Sequence, residues 1–241
     1  MQPAPGYGLA IHTSTPVLGL ALDNFAGDRH HLLLDLGRSL GGELHEQLAA
    51  FLRPRRWCDL KFIAVAQGPG GFTGTRMGVV VARTLAQQLD VPLFGVSTLA
   101  AYALSQWDGG EVPPERAIAL RMQAQRQELF VAVYGQSTPQ ASGPPELKPQ
   151  LEPLPVAWVA DQVIESAAWP ALIAPGKFAQ CSVQEPVQIA IAGPLAPSVV
   201  SLLTLAQRQY DRGDRPHWSG VLPFYGQHPV ALEAQAHLHS G

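Results

Sequence analysis

Residues 67–78 read QGPGGFTGTRMG, a glycine cluster with one proline and one arginine, set between the apolar run FIAVA and the amphipathic MGVVVARTLAQQL. A glycine-rich connection that opens a helix is a place where backbone N–H groups cradle phosphate. Two standard versions of that chemistry do not fit. A Walker A loop ends in a lysine that reaches the phosphates, followed by Ser or Thr for the metal, whereas the three lysines of this chain are Lys61, Lys148 and Lys177. The dinucleotide fingerprint G-x-G-x-x-G begins at Gly68 and Gly70 but meets Thr73 where its third glycine belongs. Two readings stay open. The N–H groups of residues 71–74 can face an anion, with Arg76 adding charge. Alternatively Gly68, Pro69, Gly70, Gly71, Phe72 and Thr73 make a tight strand-to-helix connection in which glycines take positive φ and Thr73 caps the helix.

The other reactive side chains assemble into less. Ser14 in HTSTP and Ser97 in GVSTLAA are the visible nucleophile candidates, but neither sits in a GxSxG elbow, so both are assigned to turns and caps. Among the eight histidines, His30 and His31 are adjacent and on a strand point to opposite faces, His237 and His239 lie near the end, and His45 falls on a helical rim. No metal-ligand set, catalytic group or cofactor site emerges. Where a nucleotide-dependent sheet of this strand order would carry a metal-holding carboxylate at the end of its first strand, this chain has His12.

The elements that must position these residues follow from periodicity. YGLAIHTST, PVLGLALDN and RHHLLLDLG read as a three-strand antiparallel meander. Ser39 opens a helix with Leu40, Leu44, Gln47, Leu48 and Phe51 on one stripe. Then come the strand KFIAVAQ, a helix over about residues 73–89, the strand VPLFGVS and a helix from Thr98. Three meandering strands followed by alternating helices and strands predict an α/β fold of ribonuclease-H-like type, a mixed sheet with helices on its faces. DGGEVPPER marks a boundary, giving an N-terminal unit 1–107 and a smaller unit 108–241. In the second, AIALRM and ELFVAVYG read as a hairpin able to restart the pattern, VQIAIAG as a buried strand, and both AWVADQVIESAAW and PSVVSLLTLAQRQY as helices. The Pro-rich stretch 138–155 breaks regularity and the tail from FYGQHP onward is expected to be loosely ordered.

The second helix is expected to carry two stripes. Met77, Val80, Val81, Thr84, Leu85 and Gln88 make the apparent core stripe, and Gly74, Gly78, Ala82 and Ala86 repeat at four-residue spacing. Each helical glycine costs about 0.5 to 1 kcal/mol relative to alanine. Close approach of another backbone is the natural compensation, either from the chain's own sheet or from a partner helix.

Composition narrows the function classes. Sixteen Lys plus Arg against nineteen Asp plus Glu leave a net charge of −3, the wrong balance for gripping nucleic acid autonomously. Arg53, Arg55 and Arg56 beside Trp57 form one basic cluster, read as a solvated turn or else a partner or RNA contact. Cys58 and Cys181 match no disulfide framework, and nothing resembles a signal peptide or a spanning segment, so a soluble, cytoplasmic protein without membrane contact is expected.

With these residues in view, LAIHTSTPVLGLAL, FIAVAQGPGGFTGTRMGVVVARTLAQQLDVPLFGVSTLAAYA and QELFVAVY closely resemble the TsaB (YeaZ) family of bacterial tRNA threonylcarbamoyladenosine biosynthesis proteins. The likeness covers about residues 8 to 134, with weaker echoes in IAGPLAP and LPFYG. Its specific part is GPGxFTGxRxG. The resemblance implies two ribonuclease-H-like subdomains of the actin/Hsp70/sugar-kinase (ASKHA) superfamily. It also implies a non-catalytic scaffold that pairs with a catalytic TsaD-like homologue and works with a TsaE-like ATPase. Their product is N6-threonylcarbamoyladenosine in the anticodon loop of tRNAs reading codons that begin with A, with tRNA met only indirectly. The partner face it implies is Leu40, Leu44, Leu48 and Phe51 on the first helix, with Gly74, Arg76, Met77, Gly78, Val81, Ala82 and Leu85 on the second. This chain departs from the family where Asp is usual at His12, Arg at Gln67, and Asp-Ala-Arg at Gln123, Ala124 and Gln125. Those losses weaken any nucleotide site. The rival readings are an ATP-dependent phosphotransferase or a glycopeptidase-type hydrolase, and homodimerisation through the same helices.

Overall fold

A computed structural model describes residues 6–136, 152–179, 184–224 and 226. The strands β1 (Tyr7–His12), β2 (Val17–Asp23) and β3 (Arg29–Asp35) form the expected antiparallel meander. Helix α1 (Leu40–Leu52) stops because Arg53, preceding Pro54, is held in the extended region. β4 (Leu60–Ala66) runs parallel to β1, helix α2 (Phe72–Leu89) ends at Asp90 in the left-handed conformation, and β5 (Leu93–Val96) lies parallel to β4. Ser97 accepts a hydrogen bond from Ala100 N–H at 3.1 Å and so caps α3 (Thr98–Asp108), the role its sequence context suggested. This first sheet has the order β3-β2-β1-β4-β5.

The second sheet repeats the plan. β6 (Ile118–Gln123) and β7 (Glu128–Gln136) form the predicted hairpin, β8 (Pro155–Glu165) adds antiparallel to β7, and β9 (Val187–Ile191) lies parallel to β6, giving the order β8-β7-β6-β9. Two further helices, α4 (Trp169–Leu172) and α5 (Val199–Asp211), complete a mixed α/β architecture of two sheets.

Alternation along the strands sorts side chains into layers. Leu9, Ile11, Leu18, Leu20, Leu22, Ile63 and Val65 face α1 and α2, where Leu40, Leu44, Leu48 and Leu52 close over them. Each fully buried leucine contributes about 1.5 to 3 kcal/mol by transfer from water. The opposite face, with Ala10, Ala21, Phe62 and Ala64, meets α3 and α5, which also cover Ile118, Leu120 and Ala132 of the second sheet. Trp169 of α4 and Phe178 cover that sheet's far side. The first sheet ends at Val96 and the second begins at Ile118, yet α5, late in the chain, packs on β1, β2 and β4.

Three expectations are corrected. The segment AWVADQVIESAAW, read as a helix, is mostly strand β8, because Val159, Val163 and Ile164 lie opposite Val133, Phe130 and Leu129 and the ladder with β7 overrides an ambiguous pattern. β9, read as a buried strand, is an edge with alternate residues exposed. Thr73 does not cap α2: the N-cap is Gly71 and Thr73 lies inside the first turn. Most of the Pro-rich stretch and nearly all of the tail lie outside the described residues.

Candidate functional site

The orientation of α2 decides what this chain presents. Its buried side is Thr75, Gly78, Val79, Val81, Ala82 and Ala86. A Cβ on Gly78 would collide with Thr13 Oγ1, and one on Gly74 with Thr13 O. Thr13 Oγ1 donates to Gly74 O at 2.8 Å, so the helix is drawn onto the turn between β1 and β2. The small-residue stripe therefore serves packing on the chain's own sheet. The apolar stripe expected to be core is instead divided: Val81 is buried, Met77 and Leu85 are half-buried, and Val80 is 55% exposed. Phe72, about two turns before Val80, is 56% exposed. Thr84 and Gln88 are exposed as well.

The outward residues wall a groove of about 610 Å³ between α1 and α2, lined by His45, Leu48, Trp57, Phe72, Thr73, Arg76, Met77, Val80, Val81, Thr84 and Leu85. On α1 the exposed positions include Gly41, Gly42, Ala49 and Ala50, of which Gly41 stands beside Met77 of α2. Of the expected partner residues, the fold brings Leu48, Arg76, Met77, Val81 and Leu85 to this groove, with Phe72 and Thr73 from the loop. Leu40, Leu44, Gly78 and Ala82 are spent on the core, and Phe51 is half-buried off the groove. Trp57 and the small residues of α1 were missed. The small residues come as two adjacent pairs, Gly41 with Gly42 and Ala49 with Ala50, about two turns apart, and no four-residue period singles them out.

A second concavity, about 1040 Å³, lies between the sheets and is lined by residues 13–16, Arg38, residues 70–75, residues 122–125, Phe130, Val163, Pro223, Phe224 and Gly226, among others. Thr13–Pro16 and Gln123–Gln125 are the corresponding turns of the two repeats, after β1 and β6. Gly70, Gly71, Phe72 and Thr73 reach this cleft, while Gly68, with φ +102°, and Pro69 are buried behind them. Gly71 N–H already donates to Ser14 O at 2.8 Å. Arg76 lines the groove rather than the cleft, so the charge expected to assist an anion there points elsewhere. Gln123 Nε2 turns back to Ala124 O and Glu128 O, at 3.2 and 3.1 Å.

The two nucleophile candidates differ in what surrounds them. Ser14 Oγ accepts from Thr98 Oγ1 at 3.4 Å, Ser97 Oγ lies 3.2 Å from the Tyr134 hydroxyl and hydrogen-bonds the buried Asp161 carboxyl, and neither ring nitrogen of buried His12 has a hydrogen-bond partner. Burial pulls the His12 pKa down to about 4, so the ring is neutral near pH 7. Among the described residues no group of three or more His, Cys, Asp or Glu is placed to hold a metal ion, and no helix is long and apolar enough to cross a membrane. Two arginines of the basic cluster are paired locally, Arg55 with Asp28 at 2.7 Å and Arg56 with Asp59 at 3.1 Å.

Comparison with known proteins bears on the family and the fold. Residues 55–144 match the family described as TsaD, tRNA N6-adenosine threonylcarbamoyltransferase. The tRNA threonylcarbamoyladenosine biosynthesis protein TsaB of Buchnera aphidicola is 43% identical over 49 residues, 20% of this chain and 23% of that protein. The TsaB of Bacillus subtilis is 38% identical over 78 residues, 32% of this chain and 31% of its own length. The chain thus spans less than a third of the length of these curated relatives. The solved YeaZ from Pseudomonas aeruginosa superposes with a TM-score of 0.69 at 22% identity, covering 91% of this chain and all (100%) of that one, a likeness of fold.

Proposed function

The similarities support membership of the TsaB (YeaZ) family, and on that premise we propose that this chain is a non-catalytic subunit in the biosynthesis of threonylcarbamoyladenosine on tRNA. It docks a catalytic TsaD-like partner, and through that complex a TsaE-like ATPase, in the cytoplasm; tRNA is met only through the assembly. The observation that carries the proposal is the apolar groove between α1 and α2, with the apolar side chains of Phe72 and Val80 more than half exposed. A large apolar face rimmed by polar groups such as Thr73, Arg76 and Thr84 suits a protein interface. The missing side chain at exposed Gly41, beside Met77, leaves that edge of α1 low for an approaching partner helix. In this reading the proposed unit 1–107 carries the docking helices and 108–241 completes the fold around α3 and α5.

The test is size-exclusion chromatography with light scattering on the chain alone and mixed with the TsaD-like protein from the same cells. A heteromeric peak is expected, lost in Val80→Asp. Two unshifted peaks with the unsubstituted chain would sink the docking role. A dimer of the chain alone that Val80→Asp dissolves would mean that the same face pairs with itself when the partner is missing.

A further inference from the structure

We propose that residues 221–224 together with Gly226 form a strap across the cleft, holding the two sheets at a fixed opening and bracing the loop from which α2 starts. After α5 the chain returns to the edge of the first sheet, where Leu93 N–H donates to Pro216 O at 3.2 Å, and Val221 is buried in the core beneath α2. Phe224 N–H then donates to Gln67 O at 2.6 Å. The Phe224 Cβ stands 3.4 Å from where a Cβ on Gly68 would lie, so the strap sits directly on the start of the glycine loop.

Two residues later the chain is against the other sheet. A Cβ on Gly226 would collide with Val163 Cγ2 of β8 and stand 2.8 Å from Phe130 Cε1 of β7, so only a glycine passes between them without displacement. Pro223, Phe224 and Gly226 line the cleft beside Phe130 and Val163. One short segment is thus hydrogen-bonded to the first half and wedged into the second. Such a cross-link opposes the hinge motion that two sheets joined by a cleft otherwise permit. Because Gln67 leads directly into the loop and Phe72, loosening the strap frees that loop as well. This holds for the free chain and needs no partner.

Hydrogen–deuterium exchange on the full chain tests it, with Gly226→Val and Phe224→Ala as variants. The expected result is that amides of residues 67–74 and 128–131 exchange at least about tenfold faster, while those of residues 9–11 and 63–65 keep their rates. Unchanged exchange in the first two stretches, or one uniform acceleration through the whole chain, overturns the strap. Phe224→Ala only removes contacts, so it decides the matter if Gly226→Val does not fold.

Discussion

The two halves of this molecule use one plan and finish it differently. Both sheets run third, second, first, fourth strand, and in both the fourth strand leads through a Gly-Pro turn, GPGG after β4 and AGPL after β9, into a long helix. α5 goes between the sheets: Val199, Leu202, Leu203, Leu205 and Ala206 are buried and none of residues 199–210 is exposed. α2 stays on the outer face of its own sheet and leaves Phe72 and Val80 in the open. The lesson is that a helix covered on every side has finished its packing, whereas α2 has apolar surface left for another molecule.

The sharpest way to break this contrast is a substitution on each helix. Val80→Asp puts an unpaired carboxylate into the proposed interface and is expected to weaken partner binding by more than about 3 kcal/mol. The thermal midpoint of the free chain should move by less than about 2 °C, because the position is exposed. Retained binding in light scattering would move the docking face elsewhere. On the buried side of the same helix the outcome reverses: Gly78→Leu drives a side chain into Thr13 and should cost about 3 kcal/mol or more of fold stability, read by urea unfolding. Leu202→Ala in α5 should behave like Gly78→Leu, destabilising by about 2 to 5 kcal/mol through a cavity between the sheets.

The halves also differ in their buried titratable groups. His12, in the first, holds its proton in the unfolded chain up to its ordinary value of 6.5 but in the fold only to about 4. The unfolded state therefore binds more protons between those values. Stability is complete above the upper one and falls on acidification, by about 3 kcal/mol in all. Asp161, in the second, is raised above 3.8 by burial, although Tyr134 donates to it at 2.5 Å. Here the folded state binds more protons just above 3.8, so stability falls as pH rises through that window, a smaller effect of opposite slope. Unfolding midpoints between pH 3.5 and 7 should lose the first slope in His12→Phe and the second in Asp161→Asn. A His12→Phe profile identical to the parent would remove histidine burial as the cause.

The legible parts of the sequence were those with one dominant period. The meander from Tyr7 to Asp35 alternates cleanly, the leucines of α1 recur every four residues, and Ser97 sits where a cap must. β8 was not legible, because its apolar residues fit a strand and a helix equally and only pairing with β7 separates the two. The groove between α1 and α2 was half legible: Met77, Val80, Val81 and Leu85 stood out as apolar, but all four read as core.

What the sequence determined alone is local: which segments are strands or helices, that a glycine loop precedes α2, and that neither Walker nor dinucleotide chemistry fits it. Those follow from backbone sterics and side-chain period, which act within a few residues. Only the tertiary structure decided which stripe of α2 faces inward. Its small residues lie against Thr13, distant in sequence, because a short approach to the β1–β2 turn admits no side chain at Gly74 or Gly78. With that side spent on the sheet, geometry left Phe72 and Val80 outside.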